Sequence, residues 1–405
     1  MVKPASHPTR PARPGPAGPL SGVRVLDLSA YIAGPYGCTM LADQGAEVIK
    51  IEPPDGDNLR QYPSTLQSES RAFVGVNRSK RGLVLDLKAP EGRALLMRLV
   101  READVLVHNF RPGVPKRLGI SFEQLSLINP RLVYCAVSGY GETGPLKDKA
   151  GYDQVLQTLT GMCALQGKRG AAPEIIYGSV VDYYAAALLA SGVASALFER
   201  ERTGLGQKVG VSLLRSALTM QSARLIWAGG EPLDIGRDMR SGGVTGIHPA
   251  RQGHIYLSAN TARFWKALCH KTGLQDLAED PHLDSVRKRA EHAADILPRL
   301  HAALARHTAL EWEVIFGDDV PCAAARKVED MFEHPQVLAE QMIGTIGHAQ
   351  IGPYRGVLRS VTFSRTPGPD PFGAPTLGQD TDAVLAECGV PAEEVRALRG
   401  KGVLR

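Results

Sequence analysis

Asp182 is the acidic residue of this sequence that is best placed to do chemistry. It follows a run rich in β-branched residues, 175–181, that predicts a strand, and it precedes residues 185–198, which contain no charge. An uncharged segment of this length predicts a buried helix. An Asp at the start of such a helix is either a cap, which accepts hydrogen bonds from exposed backbone N–H groups, or a reagent. These residues alone leave both interpretations open.

A second acid, Asp153, stands in a similar position in the segment GYDQVLQTLTG. The residues after it have helical periodicity, so Asp153 is predicted from these residues to be a helix cap. Tyr152 comes directly before it. A phenol with an ordinary pKa of about 10 is not a base near neutral pH.

Strands and helices alternate in the segments that must position these acids. Buried strands are predicted at 23–28, 47–52, 104–110 and 131–141. Helical segments between or after them are predicted within 33–46, 86–103, 120–130 and 152–165. This alternation predicts an α/β fold with a doubly wound, Rossmann-like parallel sheet, which binds ligands at the carboxyl ends of its strands.

The chain of 405 residues is long enough for two domains. Residues 1–20 are rich in proline and are predicted to be a disordered tail. A large domain is predicted at 21–224, a small domain at 225–325, and a return to the large domain at 326–405. The alternation of strands and helices gives way to a glycine-rich segment and charged helical segments in the middle part, and strand signals and Pro-Gly turns return after it.

Composition excludes several classes of protein. The net charge of +5 comes without a Lys/Arg run interleaved with aromatics, so no nucleic-acid partner is predicted. No apolar run reaches the roughly 20 residues of a membrane span, and no secretory signal is present, so a cytoplasmic protein without a membrane partner is predicted. The six cysteines form no CxxC pair, and no metal site is predicted. The motifs GxSxG, GxxxxGK[ST] and GxGxxG, which would indicate a serine hydrolase, an ATPase or an NAD enzyme, are missing.

Six motifs occur in an order that resembles the family III CoA-transferases, also called the CaiB/BaiF family, which includes formyl-CoA and carnitine CoA-transferases. They are AGPYGCTMLADQGAEVIKIEPPDGDNLR, NRSKRGLVLDLK, NFRPG, SGYGETGP, GYDQVLQTLTG and the segment around Asp182. The resemblance spans residues 20–211, and VPCAAARKVEDMFEHPQV extends it. It implies an interlocked, ring-like homodimer, with a Rossmann-like large domain made from both chain ends and a smaller middle domain.

The resemblance also implies roles for particular residues. Asp182 falls on the family's catalytic aspartate and Asp153 on an active-site acid, so Asp182 would attack an acyl-CoA and form first an anhydride and then an aspartyl-CoA thioester. The residues that would bind CoA are Tyr31, Ile32, Ala33, Lys80, Asn109, Phe110, Arg111 and Arg117. CoA and acyl-CoA would be substrates, with no tightly bound cofactor, and a carboxylic acid, such as a dicarboxylate, would be the acceptor.

Some positions depart from the family pattern, and two alternative functions follow from the resemblance. Pro53 and Ala150 stand where the family has basic residues in many members, and the glycines at 242–246 are predicted to be a turn or a lid. One alternative is an α-methylacyl-CoA racemase-like epimerase, which Tyr152 disfavours because that subfamily has a catalytic His there. The other is a non-catalytic CoA-binding protein of the same fold. The donor and acceptor acids stay open.

Overall fold

The computed structural model describes residues 17–167, 171–232 and 244–405. Its contacts divide the chain into one compact unit of Met1–Gly229 with Gln336–Arg405 and a second unit of Gly230–Pro335. The sequence predicted a smaller domain at 225–325, and the second unit begins at residue 230 and ends at residue 335. Most of the predicted tail, residues 1–16, lies outside the described residues.

A six-stranded sheet forms the centre of the first unit. Its strands are β1 Arg24–Asp27, β2 Glu47–Glu52, β3 Lys80–Val84, β4 Val105–His108, β5 Val133–Ser138 and β6 Lys208–Ser212. They lie in the order β3-β2-β1-β4-β5-β6, and every neighbouring pair is parallel. The predicted α/β fold with a parallel sheet is therefore confirmed. The strand order reverses between β1 and β4, the position at which such sheets bind ligands.

Two of the six strands were not predicted, and one predicted strand was wrong. The missed strands, β3 and β6, are the two edges of the sheet, and their sequences KRGLV and KVGVS are short, basic and interrupted by glycine. The predicted strand at 175–181 has no strand partner, and Val180 and Val181 already belong to a helix. Local β-propensity at this point is overridden by the tertiary packing of that helix.

Helices cover both faces of the sheet. Up to residue 219 they are α1 Ala33–Asp43, α2 Arg71–Asn77, α3 Pro90–Arg101, α4 Val114–Leu118, α5 Phe122–Leu125, α6 Asp153–Leu159, α7 Val180–Thr203 and α8 Leu213–Thr219. Successive residues of β1 enter different cores: Val25 packs with Leu189 and other residues of α1 and α7, whereas Leu26 packs with Leu96 of α3 on the other side. This alternation is the period of two expected for a strand that is buried on both faces.

The long helix α7 packs directly on α1. A Cβ at Gly37 of α1 would lie 2.9 Å from the Leu189 side chain and 3.0 Å from the Ala186 carbonyl oxygen, so only glycine permits this approach. By length and composition α7 is also long and apolar enough to span a membrane, because its 24 residues include more than the uncharged stretch 185–198. Its residues Leu189, Val193 and Leu197 instead belong to the core beside the sheet.

The remaining elements complete both units. In the second unit they are β7 Gly246–Pro249, β8 His254–Leu257, α9 Ala262–Thr272, α10 Gln275–Glu279, α11 Val286–Glu291, α12 Ala293–Leu304, α13 Ala309–Phe316 and β9 Cys322–Ala324. After the unit boundary come α14 Pro335–Ala339, β10 Ile343–Ile346, β11 Tyr354–Val357, α15 Thr381–Glu387 and α16 Ala392–Gly400. Val384, Leu385 and Leu398 of the last two helices are buried in the same core as β1 and α3.

Candidate active site

Asp182 is the third residue of α7, inside its first turn. The position before the helix is taken by Ser179, whose left-handed backbone (φ 58°) turns the chain sharply into α7 and whose side chain makes no capping hydrogen bond. Among the described residues, neither carboxylate oxygen of Asp182 has a hydrogen-bond or ion-pair partner. The cap interpretation of Asp182 is therefore wrong, because its side chain faces an open cavity and does not bond the helix amides.

Asp153 supplies the cap that Asp182 does not. Its Oδ2 accepts hydrogen bonds from the backbone N–H groups of Val181 (2.6 Å) and Asp182 (3.0 Å), and Gln157 donates to its Oδ1. Asp153 itself is 2% exposed and is the first residue of α6. It was considered as a cap of its own helix, but its carboxylate bonds the start of α7 instead, which is a charge-assisted arrangement at a helix N-terminus.

Burial, followed by the negative charge of Asp153, raises the pKa of Asp182 to about 7. Desolvation disfavours the ionised carboxylate, and a like charge nearby has the same effect. Near neutral pH the ionised form of Asp182 is thus both populated and poorly solvated. A carboxylate in that state is a stronger nucleophile than one fully exposed to water.

The carboxylate of Asp182 opens into a cavity of about 230 Å³. Besides Asp182 and Asp153, its lining includes Ala30, Tyr31, Ile32, Ala33, Tyr62, Asn109, Val137, Ser138, Gly139, Gly151, Tyr152 and Ser179. The first turn of α1 contributes Ala33, and no side chain caps that helix. Unpaired N–H groups and the helix dipole at this end favour negative charge in the cavity.

Three tyrosines form one wall of this cavity. The ring of Tyr31 packs edge-on against Tyr152, with ring centres 5.8 Å apart, and against Tyr62, at 6.3 Å. Tyr31 has a left-handed backbone (φ 67°), an uncommon conformation for a bulky residue. Backbone strain of this kind persists only where the surrounding structure holds it in place.

A buried ion pair holds the Tyr31 loop. The Oδ1 atom of Asp57 accepts the Tyr31 N–H at 3.2 Å, and its Oδ2 accepts from Lys50 Nζ at 3.0 Å. Lys50 Nζ also donates to the carbonyl oxygen of Ser29. The side chains of Lys50 and Asp57 are each 1% exposed, so this pair is fixed within the protein and does not depend on solvent. The backbone is therefore hydrogen-bonded to this buried ion pair at both Ser29 and Tyr31.

A larger cavity of about 510 Å³ lies beside the first, at the carboxyl ends of β1, β2 and β3. Its wall is mainly apolar and includes Leu28, Ile51, Leu85, Leu87, Phe110, Val114 and Leu118. Exposed Lys88 and Arg117 also line it, and neither has an ion-pair partner among the described residues. Ala30 and Asn109 line both cavities, so the two adjoin. An apolar cleft with cations at its edge suits a long ligand that carries phosphates.

Most of the predicted CoA-binding residues line these cavities, but some of them have a structural contact that the sequence did not predict. Tyr31, Ile32 and Ala33 line the smaller cavity, and Arg117 lines the larger one. Asn109 lines both, although its amide is already bonded to the Ala30 backbone, with Nδ2 2.8 Å from the carbonyl oxygen and Oδ1 3.0 Å from the nitrogen. It therefore fixes the loop.

Phe110, Arg111 and Lys80 take three different positions. Phe110 packs on the wall of the larger cavity. Arg111 is exposed and lines neither cavity, although its charge reaches Tyr152. Lys80 does not lie in the cleft, which corrects its assignment to the CoA phosphates. Its buried Nζ uses all three protons within the fold, donating to Asp27 (2.8 Å), to the Pro35 carbonyl oxygen (2.7 Å) and to Asn77 (2.9 Å).

The sequence motifs did not identify Lys50, Asp57, Lys88 and Ser138 as residues of the site. Ser138 ends β5 and Lys88 follows β3, and the carboxyl ends of strands are where a parallel sheet places ligand-binding residues. Lys88 could have been found had β3 been recognised. Gly242 and Gly243 of the predicted glycine loop lie outside the described residues. Within the described ranges, no group of three His, Cys, Asp or Glu side chains is arranged to hold a metal ion.

Known proteins resemble this chain over nearly its whole length. Residues 20–381 match the family described as CoA-transferase family III. The acetyl-CoA:oxalate CoA-transferase of Acetobacter aceti is 35% identical over 393 residues, which cover 95% of this chain and 98% of that protein. The succinate–glutarate CoA-transferase of Agrobacterium fabrum is 31% identical, covering 91% and 95%. A crystal structure of a CAIB/BAIF family protein from Brucella suis matches with a TM-score of 0.80 and 28% identity, over 92% of this chain and all of that one.

The chain therefore belongs to the family III CoA-transferases, which confirms the resemblance seen in its motifs. It is an enzyme of the CoA-transferase class, which uses CoA thioesters as substrates.

Proposed function

We propose that this protein moves CoA from an acyl-CoA to a carboxylic acid through covalent catalysis on Asp182. The observation that carries the proposal is the position of the Asp182 carboxylate. It has no partner among the described residues, lies at the start of a buried helix, and opens into a small cavity that adjoins a large apolar cleft. CoA would occupy the cleft, with its thioester end at Asp182.

The reaction would proceed in four steps. An Asp182 oxygen attacks the thioester carbonyl carbon, the C–S bond breaks, and a mixed anhydride and a CoA thiolate form. The thiolate attacks the aspartyl carbonyl, releases the donor acid as its carboxylate, and leaves an aspartyl-CoA thioester. The acceptor carboxylate then attacks this thioester and releases the thiolate. Finally, the thiolate attacks the acceptor carbonyl, which gives the new acyl-CoA and regenerates Asp182.

Two features of the site would lower the barriers of these steps. The uncapped N–H groups in the first turn of α1, beside Ala33, would stabilise the oxyanions that form at each attack. Asp153 holds the N–H groups of Val181 and Asp182, and so fixes the direction in which the nucleophile points. Orientation of this kind acts without touching the substrate.

The acceptor that the relatives support best is a dicarboxylic acid. The two relatives described above are named for oxalate and for succinate and glutarate, which are all dicarboxylates. We propose this class for the present enzyme, with succinyl-CoA or a similar thioester as one possible donor. The acids would enter the Asp182 cavity, where the amide-lined end favours a carboxylate.

Epimerisation of an acyl-CoA is less well supported by the site. A racemase needs a base beside Asp153, where Tyr152 stands. A hydrogen bond with Tyr31 raises the pKa of Tyr152 above its ordinary value, so its phenol is an even weaker candidate for proton abstraction. An assay with acyl-CoA in deuterated water and no acceptor acid separates the two activities, because only a racemase exchanges the Cα proton.

Chemical trapping tests the covalent mechanism. After incubation with acyl-CoA, hydroxylamine should convert Asp182 to a hydroxamate, which peptide mass spectrometry locates. The variant Asp182→Asn should lose transfer and trapping and still bind CoA, and Asp148→Asn, an exposed acid outside the cavity, is its matched control. Transfer by Asp182→Asn at a rate close to that of the wild type would overturn the mechanism, and CoA binding without any transfer by the wild type would favour a binding protein.

The interlocked homodimer and the cytoplasmic location remain proposals. Leu218, Met220 and Leu225 are 37%, 41% and 55% exposed, and exposed apolar side chains close together are typical of interaction surfaces. A second copy of the chain is the partner that the family resemblance implies. Analytical ultracentrifugation tests it: a single species of about 43.5 kDa, the mass of one chain, at micromolar concentration would contradict a dimer.

A further inference from the structure

A third cavity, of about 320 Å³, lies at the carboxyl ends of β4 and β5 and has no role in the steps above. Val137 and Ser138 line both this cavity and the Asp182 cavity, so the two are neighbours across the end of β5. His108, the last residue of β4, is part of its lining and is 2% exposed. We call it the His108 cavity.

His108 presents a hydrogen-bond donor that nothing in the described chain accepts. The Phe110 N–H donates to Nδ1 at 3.1 Å, whereas Nε2 has no partner among the described residues. Burial, followed by the charge of Lys208, lowers the pKa of His108 to about 3, so the ring is neutral. Because Nδ1 accepts, the single ring proton lies on Nε2. A buried N–H without an acceptor costs free energy, and a ligand that accepts this bond would recover it.

The lining of the His108 cavity carries more positive than negative charge. Lys116, Lys147 and Lys208 line it together with Glu123 and Glu142. Lys208 is paired with Glu142 at 2.7 Å, but Lys116 and Lys147 have no ion-pair partner in the part of the chain that the structure describes. A neutral donor and two ammonium groups without an ion-pair partner in the described chain, all in one lining, favour an anionic oxygen group.

We propose that the His108 cavity binds the second carboxylate of a dicarboxylic substrate while its first carboxylate lies at Asp182. The His108 Nε2–H donates to that second carboxylate, and Lys116 and Lys147 supply the opposite charge. The substrate chain passes the end of β5 at Ser138, where the two cavities share their lining. This inference rests on the proposed transfer of CoA to a dicarboxylic acid, and it assigns the selection of such acids to His108.

Binding of acids to the free enzyme tests the proposal without requiring turnover. Calorimetric titration with succinate, glutarate and adipate should show one preferred chain length, because the two cavities lie at a fixed separation. Valerate, which has a methyl group in place of the second carboxylate of glutarate, should bind more weakly than the preferred diacid. His108→Phe keeps a flat ring and removes the donor, and should weaken binding of the preferred diacid about 10- to 100-fold, as expected for one hydrogen bond to a charged group.

A matched control is available in the same unit. His348 is also buried, its Nδ1 accepts from the Gln350 N–H, and its Nε2 likewise has no partner among the described residues, but it lines none of the three cavities. His348→Phe should leave acid binding unchanged. Lys147→Met, a change at an exposed residue that does not threaten folding, should weaken diacid binding less than His108→Phe and in a way that added salt masks.

Three outcomes would overturn the proposal. The first is equal binding of diacids and valerate by the wild type. The second is an equal loss of affinity for both kinds of acid in both His108→Phe and Lys147→Met. The third is that these two variants bind CoA more weakly while their binding of diacids is unchanged. The last result would show that the cavity holds a CoA phosphate. Trapping of Asp182 by hydroxylamine in the same variants shows independently whether the transfer mechanism stands, so the two ideas fail separately.

Discussion

Asp153 accepts a hydrogen bond from the backbone N–H of Asp182, with 3.0 Å between Oδ2 and the nitrogen. One acid thus holds the other in place through the main chain, while its negative charge adds to the effect of burial and raises the pKa of the second. Asp153 acts on Asp182 as a positioning residue and as an electrostatic neighbour. These two effects can be separated by substitution.

Replacing Asp153 by Asn should lower the pH at which transfer becomes active. The amide oxygen still accepts from the start of α7, but the negative charge is gone, so the pKa of Asp182 should fall. The measurement is the pH dependence of kcat/KM for Asp153→Asn and for the wild type. Asp148→Asn, at an exposed acid, should leave the profile in place. An unchanged midpoint in Asp153→Asn would show that burial alone sets the pKa.

Transfer by the wild type should increase as the pH rises through about 7, because the proposed nucleophile is the ionised form of Asp182. Activity measured from pH 5 to 9, with the enzyme shown to be folded throughout, gives this profile. A rate that is already maximal at pH 5 would contradict the raised pKa.

The same pKa predicts a pH-dependent difference in stability between the wild type and Asp182→Asn. The folded protein binds the Asp182 proton more tightly than the unfolded chain, so ionisation of Asp182 costs stability as the pH rises from about 4 to about 7. Above pH 7, Asp182→Asn should be more stable than the wild type by about 1–3 kcal/mol, allowing for partial solvent screening. Urea unfolding at pH 8 and pH 5 checks this, and the advantage should shrink at the lower pH.

Loss of Asp57 should damage both stability and substrate binding. Asp57→Ala leaves Lys50 charged and buried without its partner, which costs about 3–5 kcal/mol in comparable cases. It also frees the loop at Tyr31, so KM for acyl-CoA should rise in the fraction that folds. Asp382→Ala removes an exposed pair with Arg399 and should cost less than about 1 kcal/mol. A similar small cost for both variants in denaturant unfolding would contradict the role given to Asp57.

Lys88 and Arg117 should contribute to CoA binding, whereas Lys80 should contribute to folding. Lys88→Met and Arg117→Met remove exposed charges from the larger cavity, so each should raise KM for acyl-CoA several-fold, an effect of about 1 kcal/mol that added salt reduces. Lys80→Met leaves Asp27 buried without its cation and should lower the melting temperature sharply. A stable Lys80→Met variant with a selective loss of CoA affinity would reverse this assignment.

The sequence by itself established the family and the α/β class and singled out Asp182 as a candidate, because six motifs in order and the alternation of strands and helices are properties of the chain alone. It also indicated part of the cleft. Tyr31 to Ala33 follow one predicted strand, Asn109 lies near the end of another, and the carboxyl ends of parallel strands meet at one edge. Lys80 misled because a lysine in a basic motif has the same sequence signature whether its ammonium group is exposed or buried. Only its three partners within the fold distinguish the two cases.

The tertiary structure decided what each acid does. An Asp near the start of a helix has the same local sequence whether it caps that helix, caps another helix or faces a cavity. Its role depends on partners that are distant in sequence. Asp153 reaches 29 positions along the chain to the amide of Asp182, and Asp182 is thereby left without a structural task. The same holds for the pKa of Asp182, which depends on burial and on a neighbouring charge, and for the unpaired nitrogen of His108. Long-range contacts of this kind are set by packing, and no local pattern records them.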